Sequence, residues 1–400
     1  MYLCDEVTLK QEASRGLFSI FEFNNHAPHS MKYYIIAGEA SGDLHGSNLM
    51  KSLLATDPSA DIRFWGGDLM QSVGGTLVKH YKELSFMGFV EVLLHLKTIF
   101  KNSAFCKKDI AEFSPDVLIC IDYSGFNLRI AKWATAQKIT TNYYISPQVW
   151  ASRAGRVAAI KRDIDAMYVI LPFEEAFYAS HNYKVHFVGH PLIDAIADRP
   201  QVDAITFRKT HALGDKPIIA LLPGSRKQEI KEMLSVMLSL ADAYNAYQFV
   251  IAGAPSQEFS FYQQFITTTN VQFVANKTYD LLSISTAALV TSGTATLETA
   301  LFKVPQVVCY KGNAISYAIA KRIITLQYIS LVNLILNKEV VKELIQNDFT
   351  TKNLRKELDK ILDPSHRETL FEAYYDLEQK LGGKGASLKT AEMIVRSISS

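Results

Sequence analysis

The side chains with the most chemical potential in this 400-residue chain stand at the ends of apolar runs. Asp122 closes the run Val117-Leu118-Ile119-Cys120-Ile121, where a strand's backbone hydrogen bonds stop and the side chain projects past the sheet. A carboxylate there is ionised near neutrality and can act as a general base, contributing on the order of 10²–10⁴ in rate when aligned. An Asx turn or a helix cap accounts for the same spacing, and both readings stay open. A second candidate is Ser292-Gly293-Thr294-Ala295-Thr296-Leu297-Glu298, which follows an apolar run and opens a helix. Small and hydroxylated residues at a helix start suit a diphosphate, and Glu298, read on the first turn, suits ribose hydroxyls. The alternative is an ordinary Thr-capped helix whose acid complements the dipole. Arg226 in Pro223-Gly224-Ser225-Arg226 could neutralise the same diphosphate, with Lys227 as an adjacent competitor. By itself, an Arg after a loop glycine is more often a surface residue.

These loops need strands behind them. Tyr33–Ala37 runs into Gly38-Glu39-Ala40-Ser41-Gly42-Asp43, and Ile218–Leu222 runs into the Pro223–Arg226 loop. Each strand-loop-helix opens a Rossmann-like unit, in which small residues let the backbone turn and the helix start meets a ligand. The expected fold is therefore α/β, with two doubly wound units facing across a cleft. The pattern predicts a helix over His45–Leu54, strands at Asp61–Gly67 and Thr141–Ile145, and strands at Ala166–Leu171 and from His186. A polar linker with a short helix spans Arg199–Lys216. The second half repeats the alternation: a helix over Gln228–Tyr244, then strands at Gln248–Ala252, Val271–Val274, Ala287–Thr291 and Gln306–Tyr310. From Ala314 the pattern turns helical. The expected divisions are an extension over 1–30, with Met31 as the natural start, units at 31–190 and 191–345, and closing helices over 346–400.

Composition narrows the function. A net charge of +2 lacks the basic excess that nucleic-acid binding normally brings, so no nucleic-acid partner is expected. The 48% hydrophobic content supports packed cores. Cys4, Cys106, Cys120 and Cys309 are scattered with no metal-ligand spacing, which reads as a reduced cytosolic protein. Residues 1–30 lack the apolar core of an export signal, and no apolar run reaches the roughly 18 residues a membrane span needs. Asp163-Ile164-Asp165 precedes a strand instead of following one and reads as solvated turn charge, so no metal is expected. No phosphate-binding G-x-x-x-x-G-K-[ST] loop and no G-x-G-x-x-G fingerprint is present, and no cofactor is expected. His45, His190 and His211 are isolated, and His190 before Pro191 reads as structural.

Residues 86–100 read as a helix with a thin polar stripe of Glu91, His95 and Thr98 on an otherwise apolar surface. A buried helix is one reading. The other is a surface for acyl chains or a bilayer face, helped by Lys97 and Lys101. A second basic-apolar patch could come from Lys303, Lys311, Lys321 and Arg322.

In order along the chain, Gly38–Asp43, Met87-Gly88-Phe89-Val90-Glu91-Val92, Pro115–Asp122 with Phe126-Asn127 and Ser146-Pro147-Gln148-Val149-Trp150-Ala151 form the first part of a specific set. Leu171-Pro172-Phe173-Glu174, Val188-Gly189-His190-Pro191, Leu222–Arg226, Ser292–Glu298 and Ser330-Leu331-Val332-Asn333-Leu334 complete it. The set resembles the lipid-A-disaccharide synthases. The resemblance implies a GT-B glycosyltransferase that joins UDP-2,3-diacylglucosamine to 2,3-diacylglucosamine 1-phosphate (lipid X). The products would be a β-1,6 disaccharide and UDP, made at the cytoplasmic membrane surface of a Gram-negative bacterium.

It further implies that Asp122 is the base for the acceptor 6-hydroxyl. Arg226 and the Gly293-Thr294-Ala295-Thr296 helix start would hold the departing diphosphate, Gly224 and Ser225 would also bind the UDP donor, Glu298 would take the ribose and Asn333 would help shape the site. Glu39, Ser41, Gly42, Asp43, Asn127, Ser146 and Gln148 would line the acceptor wall. Phe86, Met87, Phe89, Val90, Leu93 and Leu94 would meet acyl chains or membrane. Two departures stand out. Many relatives read Asp-Ala-Pro-Asp-Phe-Asn where this chain has Asp122-Tyr123-Ser124-Gly125-Phe126-Asn127, which leaves Asp122 as the only local acid. Many have Trp where Ser152 stands, which bears on acyl-chain or acceptor fit. The competing readings are another GT-B enzyme acting on a UDP-sugar, such as an epimerase or a peptidoglycan glycosyltransferase, and a non-catalytic UDP-sugar or lipid-binding protein.

Overall fold

A computed structural model of the chain describes residues 30–84, 96–152, 154–312 and 327–399. The expectations for residues 1–29, for the apolar segment 86–95 and for Lys321 and Arg322 lie outside the described residues, as do the side chains of Lys97 and Ser152. Two parallel sheets organise the described residues. The first contains β1 (Lys32–Ala37), β2 (Asp61–Gly66), β3 (Thr76–His80), β4 (Val117–Ile121), β5 (Thr140–Tyr144), β6 (Ala166–Val169) and β7 (His186–Phe187), in the order β3-β2-β1-β4-β5-β6-β7. The second contains β8 (Ile218–Leu222), β9 (Gln248–Gly253), β10 (Val271–Ala275), β11 (Ser285–Thr291), β12 (Gln306–Tyr310) and β13 (Lys342–Ile345), in the order β10-β9-β8-β11-β12-β13.

The central strands explain the continuous apolar runs. Every residue of β4 and of β8 is buried, because helices cover both faces of a parallel sheet. The strand order reverses between β1 and β4 in the first sheet and between β8 and β11 in the second. At such a reversal the flanking connections leave to opposite faces, which opens a crevice at the carboxyl edge. Register fixes what meets there: Ala37 pairs with Ile121, and Leu222 pairs with Val290. The Gly38–Asp43 loop thereby stands beside Asp122, and the Gly224–Arg226 loop beside Ser292–Thr296.

Two strands were missed by the sequence reading, β3 and β13, and both are sheet edges. Their residues are mostly half-exposed, and β13 is Lys-Glu-Leu-Ile inside a stretch read as helical. An edge strand is created by its neighbour's hydrogen bonds, here Val307–Tyr310 pairing with Lys342–Ile345, more than by its own apolar pattern.

Asp163 is not the solvated turn charge expected: it is buried and paired with Arg162. Asp165 is exposed at the bend before β6, as expected, and its carboxylate accepts the Thr141 N–H at 2.8 Å.

The C-terminal helices divide between the two units. Leu354, Leu358 and Ile361 of helix Thr351–Leu362 and Leu370, Tyr374 and Leu377 of helix Pro364–Lys380 join the core of the second sheet. Helix Ala386–Ser399 instead returns to the first sheet, where Ala391 and Ile394 pack with Leu49, Met50 and Leu53 of helix Ala40–Thr56. The return passes Gly382, Gly383 and Gly385, all at positive φ, and a Cβ on Gly382 would lie 3.1 Å from Gly189 Cα. Helix Pro191–Ala197 stands at the junction, with Leu192 and Ile193 in the second core and the Asp194 carboxylate accepting the N–H groups of Gly385 and Ser387.

Candidate active site

On the first unit the site is built around a strained turn. Asp122 and Tyr123 are consecutive non-glycine residues at φ of 42° and 46°, in the left-handed region. Such residues cost on the order of 1–3 kcal/mol each and persist only where surroundings hold them. The hold is visible. The Asp122 N–H donates to Tyr144 O at 3.1 Å, and its carbonyl accepts Asn127 Nδ2 at 2.9 Å and the Tyr143 hydroxyl. Asn127 Nδ2 also reaches Ile36 O and Ile121 O, so it ties the ends of β1 and β4 together. Fully buried in that task, Asn127 underlies the cleft instead of lining it, a correction to its expected place on the acceptor wall.

The Asp122 carboxyl is pushed up to about 6, first by burial and then by the negative charge of Glu39, against a bond from the Tyr123 N–H. Asp122 is therefore not the only local acid: the β1–β4 pairing brings a second from a different loop. Glu39 and Ser41 are exposed at the start of helix Ala40–Thr56. Gly42 lets that helix approach β1, since a Cβ there would lie 3.2 Å from Ala37 Cβ. Asp43, expected on the cleft wall, is buried and accepts the N–H groups of Gly67, Leu69 and Met70. It anchors the neighbouring loop because three convergent N–H donors satisfy a carboxylate that water cannot reach. Tyr123 lies across Gly38, where a Cβ would stand 2.2 Å from the ring.

The loop after β5 contributes Ser146 and Gln148. Gln148 is exposed, whereas Ser146 is buried and shares a hydrogen bond of 2.7 Å with the Tyr178 hydroxyl. Beneath it lies Glu174, to which the sequence reading assigned no role. Its carboxyl is pushed up to about 7 by burial, opposed by bonds from the Leu171 and Ile170 N–H groups and from Ser146. In the sequence, Glu174 is marked only by closing the Leu171-Pro172-Phe173-Glu174 motif.

On the second unit, Gly224 sits at φ 104°, and a Cβ would meet Glu229 Oε2 at 2.8 Å, so the turn requires glycine. Ser225 is exposed. Arg226 precedes helix Lys227–Leu238 with a side chain 78% exposed, paired among the described residues only with Glu229 at 3.1 Å. An exposed pair of this kind is worth less than about 1 kcal/mol, so an incoming anion can take the guanidinium at little cost. Gly293, at φ 148°, has none of the described residues within 4 Å of where its Cβ would stand, so among them the backbone is open to close approach by a ligand. Gly293 and Thr294 are exposed at the opening of helix Thr294–Leu301.

Three expected donor residues sit differently from the sequence reading. Thr296 is fully buried and its hydroxyl bonds back to Gly293 O at 2.8 Å, so it shapes the turn from below. Glu298 falls just past the first helical turn, half-buried, and accepts the Tyr279 hydroxyl at 2.8 Å; burial raises its carboxyl. Asn333 is fully buried and engaged through both ends, accepting from Val340 and Val341 N–H and donating to Val341 O and Glu343. Glu343 in turn holds the Ile329 and Ser330 N–H groups, and Ile329 O accepts the Ser292 hydroxyl. Asn333 thus supports the loop at Ser292 from behind. His190 is structural, as expected: its Nδ1 accepts the Leu192 N–H and burial holds the ring at about 3, neutral near pH 7.

Two doubly wound parallel sheets, each with ligand-type loops at its reversal point, define a GT-B architecture. Solved structures share it. A UDP-GlcNAc 2-epimerase from Neisseria meningitidis bound to UDP-GlcNAc aligns over 92% of this chain and 100% of its own with a TM-score of 0.60 at 14% identity. The glycotransferase of kitacinnamycin aligns over 93% and 100% with a TM-score of 0.62 at 13% identity. At such identities the likeness is one of fold. Sequence carries the rest: the chain belongs to the lipid-A-disaccharide synthetase family, whose profile matches residues 33–396. The lipid-A-disaccharide synthase of Geobacter metallireducens is 38% identical over 91% of this chain and 96% of its own.

Proposed function

We propose that the protein transfers 2,3-diacylglucosamine from UDP-2,3-diacylglucosamine to the 6-hydroxyl of 2,3-diacylglucosamine 1-phosphate, giving the β-1,6 disaccharide 1-phosphate and UDP. Family membership supports the reaction, and the observation that carries the mechanism is the Asp122 carboxyl, held at a strained strand end and raised to about 6 beside Glu39. A base poised near the working pH is ionised enough to act and basic enough to draw a proton. In this reading Asp122 takes the 6-hydroxyl proton as O6 attacks the anomeric carbon. The bond from that carbon to the UDP oxygen breaks with its electron pair, and configuration inverts. Negative charge then grows on the diphosphate, where Arg226, the Gly224–Ser225 backbone and the Gly293–Thr294 helix start would receive it. Glu298 would accept ribose hydroxyls, and Glu39, Ser41 and Gln148 would border the acceptor.

Both substrates carry acyl chains. We place them, and the contact with the cytoplasmic membrane surface, at the segment containing Phe86, Met87, Phe89, Val90, Leu93 and Leu94. The helix that follows, Leu96–Phe113, supports this placement with Phe100 66% and Phe105 48% exposed, near exposed Lys101 and Lys108. Among the described residues no helix is long and apolar enough to cross a membrane. The attachment proposed is therefore peripheral, at the inner face of the inner membrane.

Mass spectrometry of protein mixed with the two substrates tests the reaction, with disaccharide and equimolar UDP expected. Turnover of UDP-N-acetylglucosamine with no disaccharide would instead favour an epimerase. Asp122→Ala is expected to lower turnover at least about 100-fold with UDP affinity nearly unchanged. Activity close to that of the unmutated protein would remove Asp122 from the role.

A further inference from the structure

Tyr279 lies on helix Thr278–Ser283, just beyond the end of β10 at the carboxyl edge of the second sheet. Its hydroxyl donates to Glu298 Oε1 at 2.8 Å, while Glu298 Oε2 carries no hydrogen bond among the described residues. The tyrosine ring is itself held. It packs on Phe302 with centroids 5.4 Å apart, and the Arg199 guanidinium lies 5.0 Å from the Phe302 centroid while bonding Asp280 at 2.8 Å. Arg199 and Asp280 are only 15% and 25% exposed, so the clamp is largely shielded from solvent. Arg199 belongs to the segment that joins the two units. The donor-side acid is thus oriented through a ring that the inter-unit linker pins in place.

Resting on the reading of Glu298 as the ribose acceptor, we infer that Tyr279 is a positioning residue of the donor site, fixing one carboxylate oxygen of Glu298 so that the other meets the ribose hydroxyls. A carboxylate free to rotate would lose torsional freedom on binding, and one without a donor in this half-buried place would favour its neutral form. Burial does raise the Glu298 carboxyl, and the Tyr279 hydroxyl is the bond that opposes the rise. The residue acts through Glu298 and touches no reacting atom. The signature of its loss is therefore a change in ribose recognition, with the diphosphate contacts left intact.

Calorimetric titration with UDP and with 2′,3′-dideoxyuridine diphosphate tests this. The unmutated protein is expected to prefer UDP on the order of 10- to 100-fold, the scale of hydrogen bonds to a charged group. Tyr279→Phe keeps the Phe302 contact. It is expected to shrink that preference by about 5- to 10-fold while leaving dideoxy affinity within about twofold. In the same variant the loss of UDP affinity on acidification should begin at higher pH, because the carboxylate has lost its donor. An unchanged preference in Tyr279→Phe, beside a preference abolished in Glu298→Ala, overturns the inference. Equal weakening of both ligands also overturns it, since that is what a packing role alone would produce. A preference that survives Glu298→Ala would instead sink the ribose reading on which the inference rests.

Discussion

At the scale of single residues the decisive event is the meeting of Asp122 and Glu39. They are 83 positions apart and become neighbours because β1 and β4 pair in a register that aligns Ala37 with Ile121. Burial and the neighbouring charge both disfavour ionisation of Asp122, which moves its carboxyl from near the ordinary aspartate value of about 3.9 to about 6. In the proposed role Asp122 must be deprotonated, so kcat/KM is expected to fall as pH drops through about 6, well above the acid limb of an ordinary aspartate. Glu39→Gln removes the like charge and leaves the burial. Its acid limb should therefore move to lower pH without reaching the ordinary aspartate position. A pH-rate profile of the two proteins measures this, and coincident limbs would mean that the Glu39 charge is not felt at Asp122. Arg226 shows the opposite condition: its guanidinium is exposed and loosely paired, available to a ligand instead of committed to the fold.

At the scale of elements, the turn after β4 is a device assembled from three strands. Asn127 from the following helix, Tyr143 from β5 and the Gly38 loop after β1 all bear on the Asp122-Tyr123 backbone. Gly38 has no room for a side chain, because the Tyr123 ring occupies the space. Gly38→Ala should force the ring and the strained turn to shift, lowering kcat by about 10-fold or more, given that misplacement of a catalytic group by about 1 Å can cost about 100-fold. The double variant Gly38→Ala with Tyr123→Ala removes the obstruction and should recover much of the loss. Steady-state kinetics of the single and double variants provide the check, and absence of recovery would show that the ring is not what Gly38 accommodates. The same scale explains which sequence expectations were legible. β4, β8 and β12 were read at their observed limits, because buried central strands carry their own apolar signal. β3 and β13 did not, because an edge strand takes its identity from the partner that hydrogen-bonds to it.

At the scale of the whole molecule, the described residues cross between units twice, once through helix Pro191–Ala197 and once through the glycines before helix Ala386–Ser399. Asp194 joins both crossings by accepting the Gly385 and Ser387 N–H groups. Asp194→Ala would leave those donors unpaired, at a cost of about 1–3 kcal/mol each where no water replaces the carboxylate. Because Ala391 and Ile394 belong to the first unit's core, the effect should travel. Hydrogen exchange is expected to quicken in helix Ala40–Thr56 as well as in helix Ala386–Ser399. Faster exchange in the C-terminal helix alone would mean that it covers the first unit without stabilising it.

Much of the protein could be read before any fold was seen. Strand-loop-helix patterns carry their own periodicity and turn chemistry, so the α/β class, the two doubly wound units and the loops at their carboxyl edges were legible from local sequence. The ordered set of motifs carried the family. The division of labour inside those motifs was not legible. Asp43, Asn127, Thr296 and Asn333 have the residue types of ligand-binding groups, yet their hydrogen bonds go to the protein's own backbone and, for Asn333, also to the Glu343 side chain. Glu39, Gly293 and Arg226, in contrast, are left facing outward. Burial and hydrogen-bond partnership depend on segments far apart in sequence. Whether a polar side chain serves a ligand or the fold is therefore set by the strand order and register that bring those segments together.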